Sequence, residues 1–309
     1  MASDEAQTAI GYALATGAKR VTGRLSKKAV QKAMQNWKLT LSYDGTRFNG
    51  WQVQPGLPTV QGELQGALGR ILDLKWAETP LPQGSGRTDA GVHALGQVAS
   101  FELEAPIPAE NLLRALNRTL PPSIRVLECR KASQAFHARH SAMAKTYEYR
   151  IFRGGLCTPF QAPYVHACTW KLEMDALRQA ARDVVGEHDF VSLAASDPDA
   201  AGRGLLENGL EAESLATASS TVKSTVRTIF WSDWTEAGED LLIYRVRGNG
   251  FLHHMVRNLV GTMLEIGRGQ FPARAMLGIL EARSRSAAGP TAPARGLFLH
   301  SVEYPEEVN

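Results

Sequence analysis

Apolar positions along the chain repeat with two periods, and the alternation between them outlines the fold. Around residues 37–43, Leu39, Leu41 and Tyr43 alternate with polar neighbours, which predicts a half-buried strand, and Asp44-Gly45 ends it in a turn. Val60, Leu64, Leu68 and Ile71 then fall on one helical face, with Thr59 placed to cap it. "GQVASFEL" alternates again. "PAENLLRALNRTL" predicts a helix stopped by Pro121-Pro122, and "SIRVLECRKAS" a further strand. The plan then recurs. "KTYEYRIF" is a strand, and "MDALRQAARDVV" a helix ending near Gly186. "STVRTIFWSDW" and "DLLIYRVRGNG" form a hairpin around "EAGED". The strongest helical period covers "FLHHMVRNLVGTMLEIGRG", where Leu252, Met255, Val256, Leu259, Val260 and Met263 follow i, i+3, i+4, i+7 spacing. "ARAMLGILEARS" is a last helix and "LFLHSVEY" a closing strand.

Each half thus interrupts its strands with two helices, close to the β-α-β-β-α-β plan. The expected architecture is α+β: two ferredoxin-like or RRM-like α/β-sandwich domains whose antiparallel sheets flank a central cleft. The domains span residues 37–145 and 146–309. Residues 1–36, small-residue rich and then basic, form an N-terminal extension that reads as a solvated tail or an RNA-binding arm. Residues 194–222, rich in Ala, Ser, Gly and acids, form a flexible insertion.

Composition narrows the class. A chain of 309 residues with 44% hydrophobic and 21% charged residues can bury a sizeable core. No apolar run approaches the roughly 18 residues of a membrane span, and no secretory pattern opens the chain, so a cytoplasmic protein is expected. Three cysteines without a CxxC pair argue against a disulfide framework or a cysteine zinc site. The net charge of +3 permits a nucleic-acid partner without demanding one.

Four segments could carry chemistry. In "GSGRTDAGVHALG", residues 84–96, Asp89 is either a turn former among glycines or a carboxylate presented on a rigid turn, with Arg87 beside it for an anionic substrate. A phosphate-cradling loop fails, because no GK[ST] follows Gly86. In "FHARHSAMAKTYEYR", residues 136–150, basic residues interleave with aromatics, as suits a polyanion with stackable bases. His137 and His140 lack a third partner at a metal-ligand spacing. Arg257 lies just off the apolar stripe of its helix and either snorkels to solvent or pairs with an acid from elsewhere. Adjacent helical positions send His253 and His254 to different faces, and no HExxH is present. "TAPARGLFLHSVEYP" is a turn into a core strand.

Together with "YDGTRFNGWQ" at 43–52, "GEHDF" at 186–190 and "GNGFLHHMVRNLVG" at 248–261, these segments appear in an order that closely resembles the TruA family of tRNA pseudouridine synthases, over about residues 37 to 305. The resemblance implies an isomerase that converts uridine to pseudouridine in the anticodon stem-loop of tRNA, at positions thirty-eight to forty. It implies a homodimer with no cofactor and no metal. Carried over residue by residue, Asp89 is the essential carboxylate, as nucleophile or as base toward the ribose. Arg257 is its partner, Tyr147 packs on the target base and helps move the C5 proton, Arg87 contacts phosphate, and Leu297 lines the base pocket. The extension and the 194–222 insertion depart from the family pattern and leave these positions intact. Two other readings stand beside it. One is a catalytically silent RNA-binding protein on the same scaffold, opposed by the intact Asp89, Tyr147 and Arg257. The other is a carboxylate hydrolase, which lacks a second acid or a metal set.

Overall fold

The structure, a computed structural model, describes residues 34–104, 106–195 and 224–306. The N-terminal extension up to residue 33 and residues 196–223 of the insertion lie outside the described residues. The first half of the chain runs β1 (Gln35–Tyr43), α1 (Val60–Leu72), β2 (Gln83–Gly84), β3 (His93–Leu103), α2 (Ala109–Thr119) and β4 (Ile124–Lys131). The second runs β5 (Ala144–Phe152), β6 (His166–Ala167), α3 (Met174–Asp183), β7 (Gly186–Asp189), β8 (Val226–Ala237), β9 (Leu241–Gly248), α4 (Met255–Gly267), α5 (Ala275–Glu281) and β10 (Leu297–Glu303). Thr59 caps α1, its hydroxyl accepting from Gly62 N at 3.2 Å.

The strands form one mostly antiparallel sheet in the order β4-β1-β3-β10-β5-β9-β8-β7. Each half repeats one spatial arrangement. β4 lies beside β1, β1 beside β3, and β3 beside β2; in the second half β10, β5, β9 and β8 follow the same rule. Both halves therefore follow the β-α-β-β-α-β plan. They are fused at β3, whose free edge is divided in two. Gln83 and Gly84 pair antiparallel with Ser100 and Ala99, while Phe298 and Leu299 pair parallel with His93 and Ala94. Residue 145, where a domain boundary is drawn from sequence, falls at the start of β5 near the middle of this sheet.

A continuous core backs the sheet. Trp37, Leu39, Leu41 and Tyr43 of β1 are buried, as are Met255, Leu259, Val260 and Met263 of α4. Each such side chain contributes about 1.5–3 kcal/mol relative to exposure, which holds α4 firmly against the strands. β2, β6 and β7 have no counterpart in the sequence reading, because two to four residues are too few for alternation to register. Helix α4 also begins later than its apolar period, at Met255, because His254 adopts left-handed backbone with φ +58°. Among the described residues no helix is long and apolar enough to cross a membrane.

Candidate active site

Asp89 sits in the loop between β2 and β3, and residues 43–52 brace that loop. The Tyr43 and Thr88 hydroxyls are 2.8 Å apart, and Trp51 N donates to Thr88 O at 3.0 Å. Gly50 has φ +84°, and a side chain there would put its first carbon 2.5 Å from Thr88 O, so only glycine permits this approach. Gln97 ties the base of the loop, accepting from Ser85 Oγ at 2.6 Å and donating to Gly86 O at 2.9 Å. Thr88 and Ser85 are buried, while the Asp89 side chain keeps 19% exposure. The loop therefore holds one carboxylate at the surface of a fixed backbone.

Arg257, 168 residues away on the first turn of α4, donates from Nη1 to Asp89 Oδ2 at 2.9 Å. Its Nε donates to Ala292 O at 2.8 Å, and Ala292 N returns a bond to Arg257 O at 3.1 Å. The guanidinium is thus fixed at both ends. Asn258, fully buried, carries the strap that makes this possible: its Oδ1 accepts from Thr291 Oγ1 at 2.6 Å and its Nδ2 donates to Leu193 O at 2.8 Å. The "TAP" turn of 291–293 thereby locks α4 to the entry of β10.

His253 and His254 do not part to different faces. The left-handed turn at His254 breaks the helical phase, and the two rings lie 3.9 Å apart at 31°. His253 Nε2 is 3.7 Å from Asp89 Oδ1, and His254 Nε2 is 3.3 Å from Oδ2. Burial lowers the His254 pKa below the usual value. Asp89 opposes that shift, while His253, Arg257 and Arg285 add to it, so the ring is neutral at pH 7.

Tyr147 projects from β5 toward the same site and is buried, its ring edge-on to Phe251 at 5.0 Å. Its hydroxyl has no hydrogen-bond partner among the described residues. Burial, reinforced by Tyr43 and Asp89, pushes its pKa far above that of an ordinary phenol. Leu297 is buried at the start of β10, opposite Tyr149, and shares a sheet face with Leu299, which pairs with Tyr147. Arg87 lies half-buried two residues before Asp89. Lys145 donates from Nζ to Ser85 O at 2.6 Å, and burial together with Arg139 and Arg227 lowers its pKa to about 8. A cationic trio therefore borders the Asp89 loop.

The sequence reading sent the two histidines to different faces, took Lys145 only as one cation of the basic-aromatic segment, and did not single out Asn258. A buried asparagine on an apolar helix was the available signal for Asn258. The left-handed turn at His254 carried none, since histidine is not a residue that requires it.

Comparison with known proteins identifies the family. A family model described as tRNA pseudouridine synthase matches residues 180–305. A second model, described as an uncharacterized protein conserved in bacteria, matches residues 88–189. The tRNA pseudouridine synthase A of Solibacter usitatus (strain Ellin6076) is 49% identical over 88% of this chain and 100% of its own length. That of Bacillus subtilis (strain 168) is 40% identical over 86% of this chain and 98% of its own. That of Ligilactobacillus salivarius (strain UCC118) is 39% identical over 88% and 98%. A solved structure, of a Cbf5-Nop10-Gar1 complex, covers 74% of this chain and 54% of its own at 12% identity, with a TM-score of 0.27 that carries no argument. On relatives of this identity and coverage, the chain belongs to the tRNA pseudouridine synthase A family of isomerases.

Proposed function

We propose that this protein converts uridine to pseudouridine in the anticodon stem-loop of tRNA, at positions thirty-eight to forty, with Asp89 as the catalytic carboxylate. The observation that carries the reading is the Asp89–Arg257 pair at 2.9 Å, which joins two distant segments at a buried tyrosine. Isomerisation needs the N1–C1′ bond of the nucleotide broken, the base turned while held, and C5 joined to C1′, with a proton leaving C5 and one arriving at N1. A stacked uridine offers none of these atoms, so the nucleotide is first flipped out, at a cost of a few kcal/mol. Arg87, Arg139, Lys145 and Arg227 offset that cost through phosphate contacts.

Arg257 keeps the Asp89 carboxylate oriented, with Oδ2 held and Oδ1 left on the side of His253. Oδ1 then acts on C1′ as nucleophile or on the ribose as base. Tyr147 works as a neutral phenol. Its raised pKa makes it a donor and a packing surface at pH 7 rather than the resting acceptor of the C5 proton. With Leu297 and Phe251 it forms the apolar wall that retains the detached base. The protein acts as a homodimer in the cytoplasm.

Transcribed, unmodified tRNA is incubated with the protein, and pseudouridine is mapped by carbodiimide treatment and primer extension. Stops at positions thirty-eight to forty are expected. Retained tRNA binding with no stops at all would instead mark an RNA-binding protein without turnover.

A further inference from the structure

His253 and His254 converge on Asp89 from the start of α4, and the isomerisation chemistry leaves both rings unused. One ring nitrogen of each and one Asp89 oxygen all lie within 4.8 Å of one another. We infer that Asp89, His253 and His254 form a binding site for a borderline divalent cation, Zn2+ above all, which occupies the carboxylate when no RNA is bound and so inhibits the enzyme.

The donor set is the first argument. Two imidazole nitrogens and one carboxylate oxygen suit Zn2+ or Co2+, while Mg2+ and Ca2+ favour shells of oxygen. Spacing is the second. Bonds of about 2.05 Å in a tetrahedral shell put neighbouring ligand atoms about 3.4 Å apart. His253 Nε2 lies 3.7 Å from Oδ1 and His254 Nε2 3.3 Å from Oδ2, and one nitrogen of each ring lies within 4.8 Å of a shared Asp89 oxygen, so side-chain rotation closes the shell. Three protein ligands leave a fourth position for water, as in an open site. The third argument is preorganisation. Successive residues of a regular helix diverge by about 100°, and only the left-handed backbone of His254 brings both rings to one side. Such backbone is costly in a non-glycine residue and persists where its surroundings enforce it.

Arg257 opposes a cation, since its guanidinium already holds Oδ2. Its Nε is committed to Ala292 O, however, and it leaves Oδ1 open toward His253. The like charge weakens the site far below a structural zinc site. Weak binding suits reversible inhibition.

Binding does not depend on the function proposed above; the effect on turnover rests on Asp89 being the catalytic carboxylate. The test titrates tag-free, chelator-washed full-length protein with Co2+ in the absence of RNA. The expected result is a visible absorption band saturating at one Co2+ per chain and displaced by Zn2+. His253→Ala and His254→Ala should each weaken binding about ten-fold or more, and Cys157→Ser, which removes a half-exposed thiol, should leave the band unchanged. In the wild type, Zn2+ should protect His253 and His254 from diethyl pyrocarbonate, as read by peptide mass spectrometry; this arm needs no variant to fold. Absence of the band, its survival in both histidine variants, or unprotected histidines would overturn the inference. In the turnover arm, Zn2+ should slow pseudouridine formation and a chelator restore it. Conversion that survives Asp89→Asn would sink the functional reading while leaving the cobalt result standing. A missing cobalt band with an inactive Asp89→Asn would sink the metal site alone.

Discussion

Asp89 and Glu148 are both carboxylates held by arginine, and they lie on opposite faces of the sheet around β5. Tyr147 points toward Asp89, so its neighbour Glu148 points the other way. Glu148 is the more buried, and both its oxygens are taken: Arg150 Nε donates to Oε1 at 2.7 Å and Arg245 Nε to Oε2 at 2.6 Å. Asp89 has one arginine on one oxygen, which also lies 3.3 Å from His254 Nε2, and its other oxygen lies 3.7 Å from His253 Nε2. Burial alone would raise the Glu148 pKa; the hydrogen bonds and charges of its two arginines outweigh that and hold it below the usual carboxylate value. A saturated carboxylate stabilises a fold, and one with a spare lone pair can react. The residues are alike in kind and differ in what is left over.

The sharpest way to break this contrast is to remove each charge while keeping the shape. Asp89→Asn should lower the single-turnover rate of pseudouridine formation by on the order of a thousand-fold or more, with tRNA affinity close to wild type and the fold retained. Loss of fold or affinity on the same scale as the rate would make Asp89 structural, and the contrast would collapse. Arg257→Lys comes next. Lysine keeps the charge and cannot serve Asp89 Oδ2 and Ala292 O together, so the carboxylate loses its fixed orientation. A rate loss of about a hundred-fold with unchanged tRNA affinity is expected, because misplacement of a reacting group costs on that order. A rate within a few-fold of wild type would show that charge alone suffices.

Glu148→Gln should do the reverse. It strands two arginines that are themselves part-exposed, so the cost is about 2 kcal/mol of unfolding free energy, less than for a fully buried pair. Urea denaturation reads it, with turnover at saturating tRNA expected to stay within a few-fold. The Glu148 pKa is lower in the folded than in the unfolded state, so its stabilisation is present above the ordinary carboxylate pKa of 4.5 and lost as pH falls through the folded value. The difference between wild type and variant should therefore shrink in acid. A gap that persists at low pH would point to packing rather than charge.

These two carboxylates also mark how far the sequence could be read. Alternation in "KTYEYRIF" shows that Tyr147 and Tyr149 share one face and Glu148 the other, because a period of two is local. It does not reveal that Arg245, on a strand 97 residues distant, closes over Glu148. Both β-α-β-β-α-β halves were legible in outline, since their longer strands and helices carry their own apolar periods, whereas the two-residue β2 carries none. Their fusion was not. It rests on two residue pairs between β3 and β10, and register between distant edges leaves no periodic trace. For Asp89 the residue types alone favoured a turn, and Arg257 appeared only as a charge in need of a partner. The family pattern joined them. The histidine pair stayed hidden because helical phase, the rule used to separate His253 from His254, fails at a single left-handed residue.

The smallest expected effect concerns the ground beneath the Asp89 loop. Lys145 Nζ holds Ser85 O at 2.6 Å, and burial, with Arg139 and Arg227 adding to it, lowers its pKa from 10.5 to about 8. Below pH 8 the ammonium is present, and above it the charge is lost while the arginines keep theirs. Wild-type tRNA affinity at fixed salt should therefore weaken by about two- to three-fold more than that of Lys145→Arg between pH 7 and pH 9, as expected when a single phosphate is deprived of its cation. Titration of the RNA is common to both proteins and cancels. Stability should move oppositely. The folded state binds protons less readily than the unfolded state at this lysine, so the cost of the buried charge is fully present below pH 8. It is relieved as pH rises toward 10.5. Urea midpoints of the wild type should accordingly rise relative to Lys145→Arg across that window. If the affinity curves of the two proteins instead run parallel, Lys145 serves only to hold Ser85, and the cationic border of the loop reduces to its arginines.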